Sequence, residues 1–171
     1  VAIIGCGGIS EVHIRAFAKM PEVAVVAGVD IKPARLKVMK QKYGIKALYA
    51  DWRKMLKEVK PDAVSVCTPN GVHAPAIVDS CNAGCHAMTE KPMAMNPREC
   101  EKMIVAAEKN RKKLAVGFQY RYHPNTQFLV RAITQYDSSR RRLLGDFLAS
   151  YELTPGSVVH AGYGSLWERP N

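Results

Sequence analysis

Four short stretches of this chain bring together residue types that could do chemistry, and each follows an apolar run that reads as a strand. Gly5-Cys6-Gly7-Gly8-Ile9-Ser10 comes directly after Val1-Ala2-Ile3-Ile4 and opens a helical pattern. Glycines at this spacing permit a tight turn at Gly5 and let the backbone at Gly7 approach a pyrophosphate, with Gly8 and Ile9 beside it. An anion there faces the free N–H groups and positive dipole end of the following helix. Ser10 stands where a third glycine is usual, and is small enough to let helix and strand pack closely. Asp30 ends the next apolar run, about where an acid that accepts hydrogen bonds from an adenosine ribose is expected. Its charge would repel a 2′-phosphate, which favours NAD; Lys32 and Arg35 would offset part of that repulsion, so NADP is possible too. Asp30 could instead cap the helix beginning near Pro33.

The other two stretches lie further along. In Thr68-Pro69-Asn70-Gly71-Val72-His73, proline ends the strand, so that Thr68, Asn70 and His73 are expected at the sheet edge, His73 in the first turn of the next helix. A histidine in that place could also be an ordinary polar surface residue. Glu90-Lys91-Pro92 closes the following strand and places a lysine at the same edge as the glycine loop. In a partly desolvated cleft beside a positive nicotinamide, an ammonium group has its pKa lowered and can exchange a proton with a substrate hydroxyl. The proline could adopt a cis bond that aims the lysine. Read alone, Lys91 could equally be an exposed turn residue.

Strands and helices must alternate to place these stretches side by side. Strands are expected at Val1–Ile4, Val23–Val29, Ala47–Tyr49, Ala63–Cys67, His86–Thr89 and Leu114–Gly117. Helices fall between them near 8–19, 33–43, 51–58, 72–84 and 97–110, with Asp51 capping the third and Asn96-Pro97 starting the fifth. That alternation predicts an α/β fold with a doubly wound parallel sheet, a Rossmann domain over residues 1–119. After Gly117 the rhythm changes to an aromatic, polar linker, Phe118–Pro124, then a helix over Asn125–Tyr136 and a strand over Asp146–Leu153. Residues 120–171 are therefore expected to begin a second, α+β substrate domain that the chain does not complete.

Composition narrows the field. At 171 residues and 47% hydrophobic the chain suits one domain plus part of another, and it has no apolar run near the ~20 residues needed to cross a bilayer. The first residues form a strand without an initiator Met or charged n-region, so they read as a clipped start and not as a signal peptide. Five scattered cysteines, an odd number, fit reduced thiols in the cytoplasm. Cys81 and Cys85 lie one helical turn apart, but nothing nearby completes a metal site. The net charge of +10 is spread along the chain without interleaved aromatics, which argues against nucleic acid as a partner.

Taken together, Gly5-Cys6-Gly7-Gly8-Ile9, Asp30, Thr68-Pro69-Asn70 with His73, Gly84-Cys85-His86 with Thr89-Glu90-Lys91-Pro92, and Gly117-Phe118-Gln119-Tyr120-Arg121 resemble the Gfo/Idh/MocA oxidoreductase family. The resemblance implies that Lys91 takes part in proton transfer, and that Glu90, Asn70 and His73 contact or shape the cofactor site. It places Arg121 near nicotinamide and substrate, and His86 in a structural position. It implies an NAD(P)-dependent dehydrogenase or reductase of a sugar, inositol or related polyol, working as a dimer or tetramer. Enzymes of the family continue into a large open sheet whose Asp and His complete the active site, and neither can be assigned here. Gly164-Ser165-Leu166-Trp167-Glu168-Arg169 resembles the segment just before that stretch. On this reading the chain binds cofactor better than it turns over substrate. An NAD-dependent glycosidase and a non-catalytic NAD(P)-binding regulator, both also found in the family, are the alternatives.

Overall fold

The computed structural model describes residues 1–118 throughout and, beyond them, the strand segments 143–144, 147–154, 157–163 and 166–167. The chain divides into two compact units, Val1–Gly117 and Phe118–Asn171. The first begins with β1 (Ala2–Ile4), buried along its whole length as a strand covered on both faces should be. After α1 (Gly8–Phe17) come β2 (Ala27–Val29), α2 (Pro33–Tyr43), β3 (Ala47–Tyr49), α3 (Trp52–Val59) and β4 (Ala63–Val66). A 3-10 turn (Asn70–Val72) then leads into α4 (His73–Asn82), β5 (His86–Glu90), α5 (Pro97–Lys109) and β6 (Leu114–Gly117).

The six strands are all parallel, in the order β3-β2-β1-β4-β5-β6, so this is the doubly wound Rossmann sheet expected from the alternation. Period-two alternation divides the core between its faces. Ile3 and Cys6 pack with Ile14 of α1, Met39 of α2 and Ile45 on one side. Ala2, Ile4, Val64 and Val66 pack with Met55 of α3, Ile77 of α4 and Met103 of α5 on the other. Buried positions at i, i+3 and i+4 on α1 are Ser10, His13 and Ile14, so two of the three residues this helix buries most deeply are polar.

Local chemistry sets the helix ends. The Asp51 carboxylate accepts a hydrogen bond from Arg53 N at the start of α3. At α5 the Asn96 side chain accepts from Glu99 N, while Glu99 accepts from Met95 N, a reciprocal cap. Gly44, at φ 68°, ends α2. The strand expected over Val23–Val29 is limited to Ala27–Val29. Ala24 O and Val26 N still bond Val1, but the ladder with β1 goes no further in that direction, and Val23 N is spent on a turn back to Met20 O. The helix expected near 72–84 begins as the 3-10 turn and ends at Asn82, and the remaining helix limits shift by a residue or two.

In the second unit, β7 (Leu143–Leu144) pairs antiparallel with β10 (Leu166–Trp167), and β8 (Phe147–Thr154) pairs antiparallel with β9 (Ser157–Tyr163). The strand expected from Asp146 corresponds to β8, which finds its partner in β9. The helix expected over Asn125–Tyr136 lies outside the described residues, as does the linker beyond Phe118. Among the described residues no helix is long and apolar enough to cross a membrane, and no group of His, Cys, Asp or Glu side chains could hold a metal. All five cysteines are free thiols.

The Asn96 cap anchors the loop between β5 and α5. Asn96→Ala should lower the free energy of unfolding by about 1 kcal/mol, read by urea denaturation at unchanged m-value.

Candidate functional site

With β1 between β2 and β4, the chain leaves β1 toward α1 on one face and leaves β4 toward α4 on the other. The crevice between these diverging turns is where open α/β sheets take ligands. Gly5, at φ 91°, donates from its N–H to Val29 O at 2.8 Å. A Cβ there would sit 2.7 Å from Cys67 C and O, so only glycine lets the two turns touch backbone to backbone. Gly7 is the N-cap of α1, and no side chain caps the amides of that first turn. Ser10, fully buried, donates its hydroxyl to Gly7 O at 2.6 Å, which accounts for serine where a third glycine is usual. Gly8 has open space around its Cβ position and Ile9 is exposed.

The Asp30 carboxylate is buried and faces the glycine loop. One oxygen accepts from Cys6 N at 2.9 Å and from Arg35 at 3.2 Å, and the other accepts from Lys32 N at 2.8 Å. Burial pushes this acid's pKa up, but the Lys32 and Cys6 amides and the Arg35 guanidinium outweigh it and hold the group below the usual carboxylate range. Asp30 does not cap α2, whose N-cap is Lys32. Arg35 lies 3.9 Å from the Cβ position of Gly7, so a half-exposed cation flanks the loop.

At the end of β4, Thr68 Oγ1 is buried without a hydrogen-bond partner among the described residues, whereas Asn70 is exposed in the 3-10 turn. His73 differs from the expectation of a residue displayed at the sheet edge, because it is fully buried. Its Nδ1 lies 3.0 Å from Pro92 O and its Nε2 3.0 Å from Thr68 O, so the ring sits between the turns after β4 and β5; both carbonyls only accept, and the neutral ring donates to one of them. Lys91 is exposed within the described residues, where a partly desolvated cleft was expected, and the Lys91–Pro92 bond is cis. Glu90, beside it, is 14% exposed and lies against His13 of α1. His86 takes a structural part, accepting from Lys113 N at 3.0 Å. Arg121 lies outside the described residues.

Sequence reasoning missed His13 and Ser65. His13 Nε2 lies 2.9 Å from Glu90 Oε1 and His13 Nδ1 lies 2.8 Å from Ser65 Oγ. The available signal was a histidine three residues beyond Ser10, on the buried face of a helix that opens a phosphate loop. Cys67 Sγ lies 3.7 Å from Ser65 Oγ. Burial pushes the Cys67 thiol up to about 11, the Glu90 charge adds to this, and the Ser65 contact opposes it. The residues therefore fit a dinucleotide: an uncapped helix N-terminus over a glycine cradle, a cation beside it, and an orphaned buried hydroxyl at the next turn.

Residues 1–118 match the family model Gfo/Idh/MocA, an oxidoreductase family with an NAD-binding Rossmann fold. The chain is 38% identical over 135 residues to D-glucoside 3-dehydrogenase of Escherichia coli K12, covering 78% of this chain and 38% of that protein. It is 28% identical over 133 residues to myo-inositol 2-dehydrogenase of Thermotoga maritima, covering 78% of this chain and 40% of that one. Among solved structures, the WlbA dehydrogenase of Bordetella pertussis, in complex with NADH and UDP-GlcNAcA, superposes with TM-score 0.74 at 29% identity. That match covers 79% of this chain and 41% of the other. The chain thus spans about two fifths of the length of these relatives.

Two outcomes follow from the loop geometry. Gly5→Ala should destabilise the fold by at least about 2 kcal/mol, through positive φ and backbone overlap together, whereas Gly8→Ala should leave stability level or raise it by up to about 1 kcal/mol. Thermal unfolding of the two variants separates these effects. Because the Asp30 pKa is lowered by folding, its contribution is present above about pH 4 and is lost as pH falls through the folded value. Asp30→Asn should therefore be less stable than the parent at pH 7, with the gap closing below about pH 4 in denaturation series.

Proposed function

The chain belongs to the Gfo/Idh/MocA oxidoreductase family, with the family's NAD-binding Rossmann fold over residues 1–118, and we propose that it forms the cofactor half of a dehydrogenase or reductase acting on a CH–OH carbon of a sugar, inositol or related polyol. The observation that carries this reading is convergence: the glycine loop after β1, the Thr68–Asn70 turn after β4 and Lys91 after β5 meet at the carboxyl end of neighbouring strands. The relatives named as D-glucoside and myo-inositol dehydrogenases supply the substrate class.

In this proposal the backbone amides at Gly7, Gly8 and Ile9 bind the pyrophosphate at the start of α1, where the helix dipole favours negative charge. Asp30 fixes the shape of that loop from behind, and its remaining acceptor capacity is directed to the adenosine ribose. Arg35 adds positive charge beside the loop, which leaves NADP acceptable alongside NAD. Thr68 Oγ1 and Asn70 line the next turn and offer hydrogen bonds to the cofactor. Bound NAD⁺ supplies the hydride acceptor. Lys91 then takes the proton of the substrate hydroxyl as the carbinol carbon is oxidised, and returns it in reduction. Glu90 and His73 shape the turn that carries Lys91, and Arg121 is assigned to the nicotinamide side.

The domain limits 1–119 and 120–171, a homo-oligomeric state, a small sugar-like substrate and a cytoplasmic location belong to the same proposal. Buried free thiols support the last of these.

Calorimetric titration with NAD⁺ and NADP⁺ tests the cofactor reading. Binding of NAD⁺ that weakens at least tenfold in Gly7→Asp, about 1.4 kcal/mol, is expected; binding of neither nucleotide would defeat it. In the same titration Lys91→Ala should bind NAD⁺ within about threefold of the parent, since a residue used for proton transfer contributes little to ground-state binding. In an enzyme assembled with a substrate domain it should lower kcat by at least about 100-fold.

A further inference from the structure

Lys91 has an exposed side chain, yet the residues on both sides of it are held from within the core. On one side, Glu90 Oε1 lies 2.9 Å from His13 Nε2, and on the other Pro92 O lies 3.0 Å from His73 Nδ1. The two histidines come from opposite faces of the sheet, His13 from α1 and His73 from the first turn of α4, and both are buried. We propose that His13 and His73 are positioning residues that clamp the backbone on either side of Lys91 and hold it at the end of β5, next to the glycine loop. The purpose of the clamp rests on the reading of Lys91 as the proton-transfer residue; its existence does not.

The direction of the hydrogen bonds on the His13 side follows from chemistry. A carboxylate only accepts, so His13 donates from Nε2 to Glu90. In a neutral ring Nδ1 then accepts, and Ser65, 1% exposed, donates its hydroxyl to it. Cys67 keeps its proton, with its pKa pushed up to about 11, and can donate to Ser65 in turn. A row of donors thus runs through an otherwise apolar sheet face and ends on one carboxylate. Glu90 is held from a third direction by Gly117, its partner on β6: a Cβ there would lie 2.9 Å from Glu90 Oε1. The other oxygen, Oε2, faces Lys91 N at 3.4 Å, so the carboxylate orientation is passed to the Lys91 peptide. A buried polar row of this kind adds little net stability over apolar packing, while it specifies one arrangement closely.

The test is backbone dynamics of the ¹⁵N-labelled chain, with the Lys91 and Gly7 amides followed in the absence of NAD⁺. In the parent, the order parameter at Lys91 should be about 0.85, that of rigid backbone, and in His13→Ala it should fall below about 0.6, while Gly7 stays rigid. His13→Gln, whose amide can donate to Glu90 and accept from Ser65, should restore rigidity at Lys91. Gly117→Ala, which displaces the Glu90 carboxylate and leaves His13 in place, should loosen Lys91 as His13→Ala does, and His73→Ala should do so from the other side. A Lys91 amide as rigid in Gly117→Ala and His73→Ala as in the parent would overturn the clamp, even if unfolding midpoints drop. So would loosening of Gly7 and Lys91 to the same degree. The order parameters are read on the free chain, so absence of NAD⁺ binding or persistence of turnover in Lys91→Ala would count against the proposed function and leave the clamp standing.

Discussion

Backbone meets backbone where Gly5 packs on Cys67 and Thr68, and the site is organised around that contact. It brings the turns after β1 and β4 closer than side chains would allow, at the point where the chain diverges to opposite faces of the sheet. The glycine loop can then present the first turn of α1 beside Thr68 and Lys91. Ser10 and Asp30 hold the loop from below and behind, through Gly7 O and Cys6 N. Both lie within the core, so the loop is shaped before any ligand arrives. Such preorganisation lowers the entropy lost on binding.

The polar groups under the site divide by purpose. Asp30 is a buried charge with three donors around it, and its desolvation is offset locally. His13, Ser65 and Glu90 form a chain that runs across three elements, α1, β4 and β5. Hydrogen bonds between elements distant in sequence define their relative placement more sharply than apolar contact, which tolerates sliding. Thr68 Oγ1, like Thr89 Oγ1 within β5, is buried without a hydrogen-bond partner among the described residues; Thr68 lies at the site itself, where a bound ligand would relieve the cost.

Much of the fold was legible because its signals are local. Alternating apolar runs located all six strands of the sheet, and Asp51, Asn96 and Pro97 marked where helices start. Val23–Val26 misled because a run rich in β-branched residues looks like a strand even where, as here, its start is drawn into a turn and its contact with Val1 is too short to extend the ladder. Gly5, Asp30 and Lys91 were visible from their positions at strand ends. His13 and Ser65 were not, because on their own elements each is an ordinary polar residue, and their partners lie 77 and 52 positions away.

By itself the sequence determined the succession of strands and helices, the glycine turn and the order in which chemically useful residues leave the sheet. Those features depend on periodicity, capping and backbone freedom within a few residues. Only the tertiary structure decided that Asp30 turns its carboxylate onto the glycine loop, that His73 is buried between two carbonyls, and that His13 reaches Glu90. Each of these depends on which strand lies beside which and how a helix is rotated against the sheet. Packing of the whole core sets those two quantities, and no short stretch of sequence contains them.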